Sequence, residues 1–462
     1  MAKREMILIM GLGLHGGGIG AANYFVKKGQ KVLITDLKSR DELRESIEKL
    51  EKSSNVKLVL GRHRYRDFRR ANLIVKNPAV RFDSPFIEYA RKRGIRVDSD
   101  IGIFLEEILK KSKNIIGITG TKGKSTTASL IHRALSSVWS DSVLAGNIGI
   151  SVFDAIEKID VDTWIVLELS SFQLGSIREK RFSPHVAVIT NFMEDHLNYY
   201  SDMREYFSDK EVIYRYQKPG DVLVVNRDQD VFKMIKPTDG VRVLSFGLEA
   251  DFDGEGTYRK GNDVYFRGES GECRLLSLER IKLRGIHNLY NIMAAAAVCT
   301  AIGVEPGNIE RAFDNFNPLE HRLEIVYERS DFRIINDTAA TTPDAAVSAI
   351  RAIEKPIFLI AGGYDKGLPL EGFVKVINDE VDTLALLAGN GTERMMKMGI
   401  KVKHMLFYDL EKAVEYALRE SGGRGTVILS PGFASFGMFK NEFHRGDEFK
   451  RIVKELLGRG IV

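Results

Sequence analysis

Residues 116 to 127 read Ile-Gly-Ile-Thr-Gly-Thr-Lys-Gly-Lys-Ser-Thr-Thr. An apolar run, Ile115 to Ile118, leads in and a helical pattern from Thr126 to Leu135 leads out, which predicts a strand, a tight loop and a helix. Such a loop can aim several backbone N–H groups at one point, and the helix behind it adds the positive end of its dipole. Glycines at 120 and 123 let the backbone approach a phosphate, Lys124 supplies a mobile cation for terminal phosphates, and Ser125 supplies a hydroxyl for Mg²⁺. Gly120, Thr121, Lys122, Gly123, Lys124, Ser125 and Thr126 are therefore the candidate phosphate contacts. The fit to the general phosphate-loop pattern is imperfect: Ile118 stands where its first glycine is usual, and Gly117 is one place early. The bland alternative is a glycine-rich turn carrying two solvated lysines.

The chain has 462 residues, room for about two to four domains, and its hydrophobic fraction of 44% is enough to fill their cores. A net charge of +5 without an aromatic-interleaved basic patch does not point to nucleic acid. Cys273 and Cys299 form no metal or redox motif, which suits a reducing cytoplasm. Residues 6 to 10 are too short for a signal sequence, and there is no apolar run of about 20 residues. The expectation is a soluble, cytoplasmic protein with no membrane insertion.

The first strand, Met6 to Met10, runs into Gly11-Leu-Gly13-Leu-His-Gly16, a helical pattern from Gly20 to Lys28, and a second strand, Lys31 to Thr35, ending in Asp36. This satisfies the dinucleotide fingerprint and allows NAD, but a UDP group meets the same physical needs. Further strands are expected at Val56 to Leu60, Leu73 to Lys76 and Ile95 to Val97, with helices at Pro85 to Arg93 and Ile101 to Lys111. After the phosphate loop, Val143 to Ala145 leads to Gly146-Asn147-Ile-Gly149, and a strand from Asp162 ends in Glu168. An acid at that strand end, beside a phosphate loop, is the expected place for a Mg²⁺ ligand rather than a helix cap. His196, next to Glu194 and Asp195 after the strand His185 to Thr190, is a metal ligand or a hydrogen-bonded loop residue. Lys210, on a helix from Met203 to Gln217, reads as a surface lysine.

Asp221 to Leu278 is mostly β, and looks like an antiparallel side sheet. Asn288 and Asn291 share one face at the start of an apolar helix, Ile292 to Ile302, and could read a purine edge; Asn288 could equally cap the helix. Residues 318 to 323 look like a linker carrying Arg322. Beyond it, strands at Phe332 to Asn336, Pro356 to Ala361, Thr383 to Leu387 and Thr426 to Leu429, with helices at 342–353, 370–378 and 409–420, form another open α/β unit. Its strand ends carry Asp337, Gly362-Gly-Tyr-Asp-Lys366 and Ser430-Pro-Gly-Phe-Ala-Ser435.

Thr119-Gly-Thr-Lys-Gly-Lys-Ser-Thr126, Gly146-Asn-Ile-Gly149, Glu168-Leu-Ser-Ser-Phe-Gln-Leu174, Glu194-Asp-His196, His287-Asn288-x-x-Asn291 and Ser430-Pro-x-x-Ala-Ser435 occur in this order. Together they resemble the Mur ligases, ATP-dependent amide-forming enzymes of peptidoglycan synthesis, and among them the branch that adds D-glutamate. The resemblance implies an α/β chain of three domains: a Rossmann-like UDP-substrate domain (1–112), a central P-loop ATPase domain with an antiparallel side sheet (113–316), and a Rossmann-like amino-acid domain (317–462). It implies that Lys124 and Ser125 hold ATP phosphates and Mg²⁺, that Glu168 binds the first of two Mg²⁺ ions, and that His196 and a carbamylated Lys210 serve the second. Asn288, Asn291, Arg322 and Asp337 would contact the nucleotide. Leu14, His15 and Asp36 would hold UDP, displacing the NAD reading, and Asn147 the muramoyl group. Lys366 and Ser435 would bind the amino acid's carboxylates. The substrates implied are ATP, UDP-MurNAc-L-Ala and D-glutamate, acting on a monomer hinged near residues 316 to 322.

Three departures from the family pattern bear on specificity. Ala339 stands where many members carry Lys, Asn77-Pro-Ala79 where Ser-Pro-Gly is usual, and Asn441-Glu442-Phe443 reverses a Phe-Glu order. They leave open a Mur-like ligase for another amino acid or acid. An NAD-dependent oxidoreductase and a catalytically idle nucleotide switch are the more distant alternatives.

Overall fold

The structure, a computed structural model, describes residues 6–13, 16–78, 80–148, 151–196, 199–314, 316–365 and 367–461. Leu14, His15, Ala79, Gly149 and Lys366 lie outside these residues. The described strands form sheets of five, nine and six strands. The chain groups into two compact units, one of Met1–Met193, Tyr200–Leu278 and Ile292–Phe313, the other of Glu194–Tyr199, Glu279–Asn291 and Asp314–Val462.

In the first unit, β1 (Met6–Met10), β2 (Val32–Asp36), β3 (Val56–Leu60), β4 (Ala71–Lys76) and β5 (Arg96–Ser99) lie parallel in the order β3-β2-β1-β4-β5. Between β1 and the helix Gly17–Lys27, Gly11, Gly13 and Gly16 all have positive φ, a conformation other residues rarely adopt, which makes the turn tight. The helix begins earlier than its apolar pattern, because two further glycines, Gly17 and Gly18, extend it toward the turn.

The nine-stranded sheet comprises β6 (Ile115–Thr119), β7 (Ser142–Gly146), β8 (Trp164–Glu168), β9 (Val186–Ile189), β10 (Val222–Asn226), β11 (Arg242–Gly247), β12 (Glu255–Lys260), β13 (Asp263–Gly268) and β14 (Gly271–Ser277). Its order is β14-β13-β12-β11-β10-β9-β6-β8-β7. The stretch read as an antiparallel side sheet proves to be its continuation. β10, β11 and β12 pair parallel, and only β12 to β14 run antiparallel. Short turns join those last strands and permit the hairpin pairing, whereas the parallel ones need longer crossovers. The five- and nine-stranded sheets share a core in which Ile9, Phe104, Leu167 and Leu174 take part. Tyr24 stacks on Phe153 across it with ring centroids 4.6 Å apart. Each such buried side chain contributes about 1.5–3 kcal/mol.

In the second unit, β15 (Glu324–Arg329), β16 (Phe332–Asn336), β17 (Ile357–Gly362), β18 (Thr383–Leu387), β19 (Lys403–Phe407) and β20 (Gly425–Leu429) lie in the order β15-β16-β20-β17-β18-β19. β15 is antiparallel to β16 and the rest are parallel. The two edge strands escape the sequence pattern because they are largely exposed and their apolar runs, Ile325 to Tyr327 and Met405 to Phe407, are short. The last helix, Glu442–Gly458, is capped by the Asn441 side chain, which accepts from His444 N at 2.8 Å. Among the described residues no helix is long and apolar enough to cross a membrane.

Candidate active site

β6 delivers the phosphate loop. The helix behind it runs Lys124–Val138, two residues earlier than its apolar pattern, because Gly123 at φ 84° turns the chain directly into it. Gly120 is required by packing: a Cβ there would lie 1.9 Å from Thr190 Oγ1. Lys124 Nζ donates to the Gly120 and Thr121 carbonyls at 3.0 and 3.1 Å, which holds the ammonium against the loop.

The strand end beside it shapes the loop in a way the sequence did not announce. Lys122 N donates to Asn191 Oδ1 at 2.8 Å, and the Lys122 carbonyl accepts from Asn191 Nδ2 at 2.8 Å and Thr190 Oγ1 at 2.6 Å. Thr121 N donates to the Asn191 carbonyl at 3.1 Å, and Thr121 Oγ1 accepts from Met193 N at 3.0 Å. The amides of Thr121 and Lys122 are thus engaged by Asn191. The first turn of the following helix, where Ser125 and Thr126 lie, brings the positive end of the helix dipole to the task of holding a phosphate. Thr190 and Asn191 follow β9, and a Thr-Asn pair at a strand exit was the only signal available.

Glu168 ends β8, next to β6 in the sheet, and is 1% exposed. Asn147 Nδ2 donates to its Oε1 at 2.9 Å, and Asn147 N donates to its backbone carbonyl at 2.9 Å. Oε2 is buried without a hydrogen-bond partner among the described residues. A buried carboxylate oxygen left bare is costly, and a divalent cation would satisfy it, so the donor set fits Mg²⁺. Asn147, expected at the muramoyl group, here orients this carboxylate.

Lys210 is 1% exposed, which corrects its reading as a surface lysine. Its helix, Met203–Arg215, buries Tyr206, Phe207, Lys210, Ile213 and Tyr214 on one face, and that spacing was a usable signal. Lys210 Nζ donates to the Gly120 carbonyl at 2.9 Å, so the structure brings it to the phosphate loop. Its neighbour Asp209 accepts from Arg178 at 2.7 Å and from Tyr200 Oη at 2.9 Å. Burial raises the Asp209 carboxyl above its ordinary value, against both hydrogen bonds.

Asp36 lies beside the first glycine turn and is buried. Its Oδ2 accepts from Leu12 N and Gly13 N at 2.9 and 3.2 Å, and its Oδ1 from Lys38 N at 2.9 Å. The carboxylate expected to meet a ligand therefore props up the turn itself.

His196 belongs to the second unit. It adopts φ 59°, its N–H donates to Asp195 Oδ1 at 2.9 Å, and its carbonyl accepts from Tyr199 N at 2.9 Å. Asn288 and Asn291 both sit inside the helix Ile286–Ala301. Asn288 Nδ2 donates to the Arg284 carbonyl at 2.8 Å and its Oδ1 accepts from Asn291 Nδ2 at 3.2 Å, so the helix-cap alternative is not what the structure contains.

The carboxyl ends of β16, β17 and β20 gather the rest. Asp337 Oδ2 accepts from Ser430 Oγ at 2.7 Å and its Oδ1 from Leu323 N at 3.1 Å. Burial pushes the Asp337 carboxyl up to about 7 despite those bonds and nearby Arg322. Ser435 is buried close by in sequence to Ala434, which bridges Tyr364. Two of the family departures meet here: Thr338, next to Ala339, donates from Oγ1 to the Glu442 carbonyl at 3.0 Å. Arg445, fully buried, donates to Thr338 Oγ1 and O and to the Phe433 carbonyl, fastening both segments.

Residues 5–99 match the family model of the Mur ligase MurD-like N-terminal domain, 118–299 that of the Mur ligase middle domain, and 321–433 that of the Mur ligase glutamate ligase domain. A Roseiflexus sp. (strain RS-1) protein named UDP-N-acetylmuramoylalanine--D-glutamate ligase is 40% identical over 459 residues, 97% of this chain and 98% of that one. The chain belongs to the Mur ligase family. A second relative of this Mur ligase, of the same name and from Borreliella burgdorferi (strain ZS7), is 36% identical over 98% of both chains. The fold matches UDP-N-acetylmuramate-alanine ligase MurC of Thermotoga maritima, with a TM-score of 0.62 and 19% identity over 97% of this chain and 99% of that one. It also matches MurF ligase of the same organism in complex with ADP, with a TM-score of 0.59 and 17% identity over 98% and 96%.

Proposed function

We propose that this Mur ligase joins D-glutamate to UDP-N-acetylmuramoyl-L-alanine at the expense of ATP, in the synthesis of peptidoglycan precursors. The observation that carries the reading is the bare Oε2 of buried Glu168 at a strand end adjoining the phosphate loop, in a chain matching relatives of that activity over nearly its whole length. The substrate carboxylate attacks the γ-phosphate, ADP leaves, and an acyl phosphate forms. The D-glutamate amine then adds to the acyl carbon, and collapse of the tetrahedral intermediate expels phosphate.

Lys124 and the first helical turn hold the β- and γ-phosphates and stabilise charge spreading over the transferring group. Ser125 and Glu168 would hold one Mg²⁺, and His196 with carbamylated Lys210 a second. Bound Mg²⁺ supplies charge neutralisation at the phosphoryl oxygens. Carbamylation leaves one N–H on Lys210, so its bond to Gly120 can persist. Asn288, Asn291, Arg322 and Asp337 serve the nucleotide, the first glycine turn with Leu14 and His15 serves UDP, and Lys366 and Ser435 serve the amino acid's carboxylates. Domain boundaries after residues 112 and 316, a cytoplasmic setting and a monomeric state belong to the same reading.

A second reading, a different amino acid, is favoured by one observation: Ala339 and Glu442 depart from the family pattern at segments that contact each other. A pocket with altered polar partners changes selectivity strongly. Phosphate release from ATP with UDP-MurNAc-L-Ala, across a panel of D- and L-amino acids, decides between them. Release that depends on D-glutamate supports the first reading, and release with another amino acid the second. No release with any amino acid defeats both.

A further inference from the structure

Lys76, the last residue of β4, is 2% exposed, an unusual place for an ammonium. Its Nζ donates to the Pro78 carbonyl at 3.3 Å, the Val80 carbonyl at 3.0 Å and Ser176 Oγ at 3.0 Å, and lies 4.4 Å from the Phe82 ring centroid. Three donors thus find three acceptors, with no carboxylate in contact among the described residues. The acids facing it are already committed. Asp98 pairs with Arg96 and Lys180, and Asp209 with Arg178. Asp100 is driven upward in pKa by complete burial. Arg91, whose guanidinium carbon lies 4.5 Å from the Phe82 ring centroid, pairs with Glu179.

Both things that Lys76 ties down matter to the site. Asn77 abuts the first glycine turn: its N–H donates to the Met10 carbonyl at 2.8 Å, and a Cβ on Gly11 would lie 2.9 Å from Asn77 Cβ. Ser176 lies on the helix Ser171–Ile177, which begins three residues after Glu168. A buried charge with acceptors on both sides is a directional clamp, since each lost bond leaves a desolvated carbonyl.

We propose that Lys76 is a positioning residue for the nucleotide-sugar substrate, fixing Asn77, Pro78 and Val80 against the Gly11–Gly13 turn and against the helix that follows Glu168. Burial lowers the Lys76 ammonium to about 8, against the raising influence of Asp100, Asp209 and Asp98, so the clamp loses its charge just above neutrality. The inference rests on reading the first sheet as the UDP-substrate site.

The test compares Lys76→Met with wild type in steady-state phosphate release, varying UDP-MurNAc-L-Ala and ATP separately between pH 6.5 and about 9.5. The expected result is a KM for UDP-MurNAc-L-Ala raised about tenfold, with kcat and the KM for ATP within about threefold. Wild type shows an upturn of that KM above about pH 8, and Lys76→Met lacks it. Ser176→Ala, which removes one acceptor and keeps the lysine, moves the same constant by less and stands in if Lys76→Met does not fold. Equal loss in all constants, or no change in any, overturns the proposal and leaves a merely structural lysine. Failure of the underlying reading is distinguishable, since wild type would then show no release dependent on UDP-MurNAc-L-Ala.

Discussion

Lys210 Nζ donates to the Gly120 carbonyl at 2.9 Å, joining the phosphate loop to a helix 90 positions further along the chain. The bond buries a cation where a metal-dependent phosphoryl transfer needs an anion, and a carbamate resolves that conflict. Lys210→Ala and Lys210→Arg are each expected to lower phosphate release by about 10²–10³-fold. Depleting CO₂ should slow the wild type and added bicarbonate restore it. An undiminished rate in CO₂-free buffer would sink the carbamate.

Glu168→Gln should raise the Mg²⁺ concentration needed for half-maximal phosphate release. The change keeps the shape and the Asn147 contact but removes the charge on the buried carboxylate. Asn147→Ala should move the Mg²⁺ requirement the same way by about tenfold, the usual cost of losing a partner that orients a ligand. Titrations in Mg²⁺ at saturating ATP read both, and an unchanged requirement in Glu168→Gln would remove Glu168 from the metal site.

Asn191→Ala deletes two side-chain hydrogen bonds to Lys122 and keeps the backbone bond to Thr121. At about 0.5–1.5 kcal/mol each, their loss should loosen the loop and raise the KM for ATP about tenfold, with a small fall in Tm. A normal KM for ATP with lowered Tm would mean that Asn191 supports the fold and not the nucleotide.

Asp337 has its folded pKa raised from 3.8 to about 7. A raised carboxyl contributes stability below pH about 4, where both states hold the proton, and loses it as pH rises to about 7. The lever is on the order of a few kcal/mol. Asp337→Asn should therefore flatten the decline in stability between pH 4 and 7, measured by urea unfolding. Parallel curves for the two proteins would assign the raised value to no real proton.

The strands β1, β3, β16 and β18 agree with their sequence patterns to the residue, because each is a short segment dominated by apolar residues. The phosphate loop, the acid ending β8 and the alternation of strands with helices were legible for the same reason: they are local. What the sequence alone determined was the order of elements and the residue types at strand ends. It did not determine which polar groups would meet. Lys210 looked solvated because a lysine usually is, and only the packing of its helix placed it on Gly120. Asp36 looked aimed at a ligand, yet the glycine turn had amides to satisfy and took the carboxylate. Asn191 and Lys76 carried no motif; their partners lie on other strands and loops. Hydrogen bonds between distant segments depend on tertiary packing and on the cost of leaving buried polar groups unpaired, and no pattern along the chain encodes that pairing.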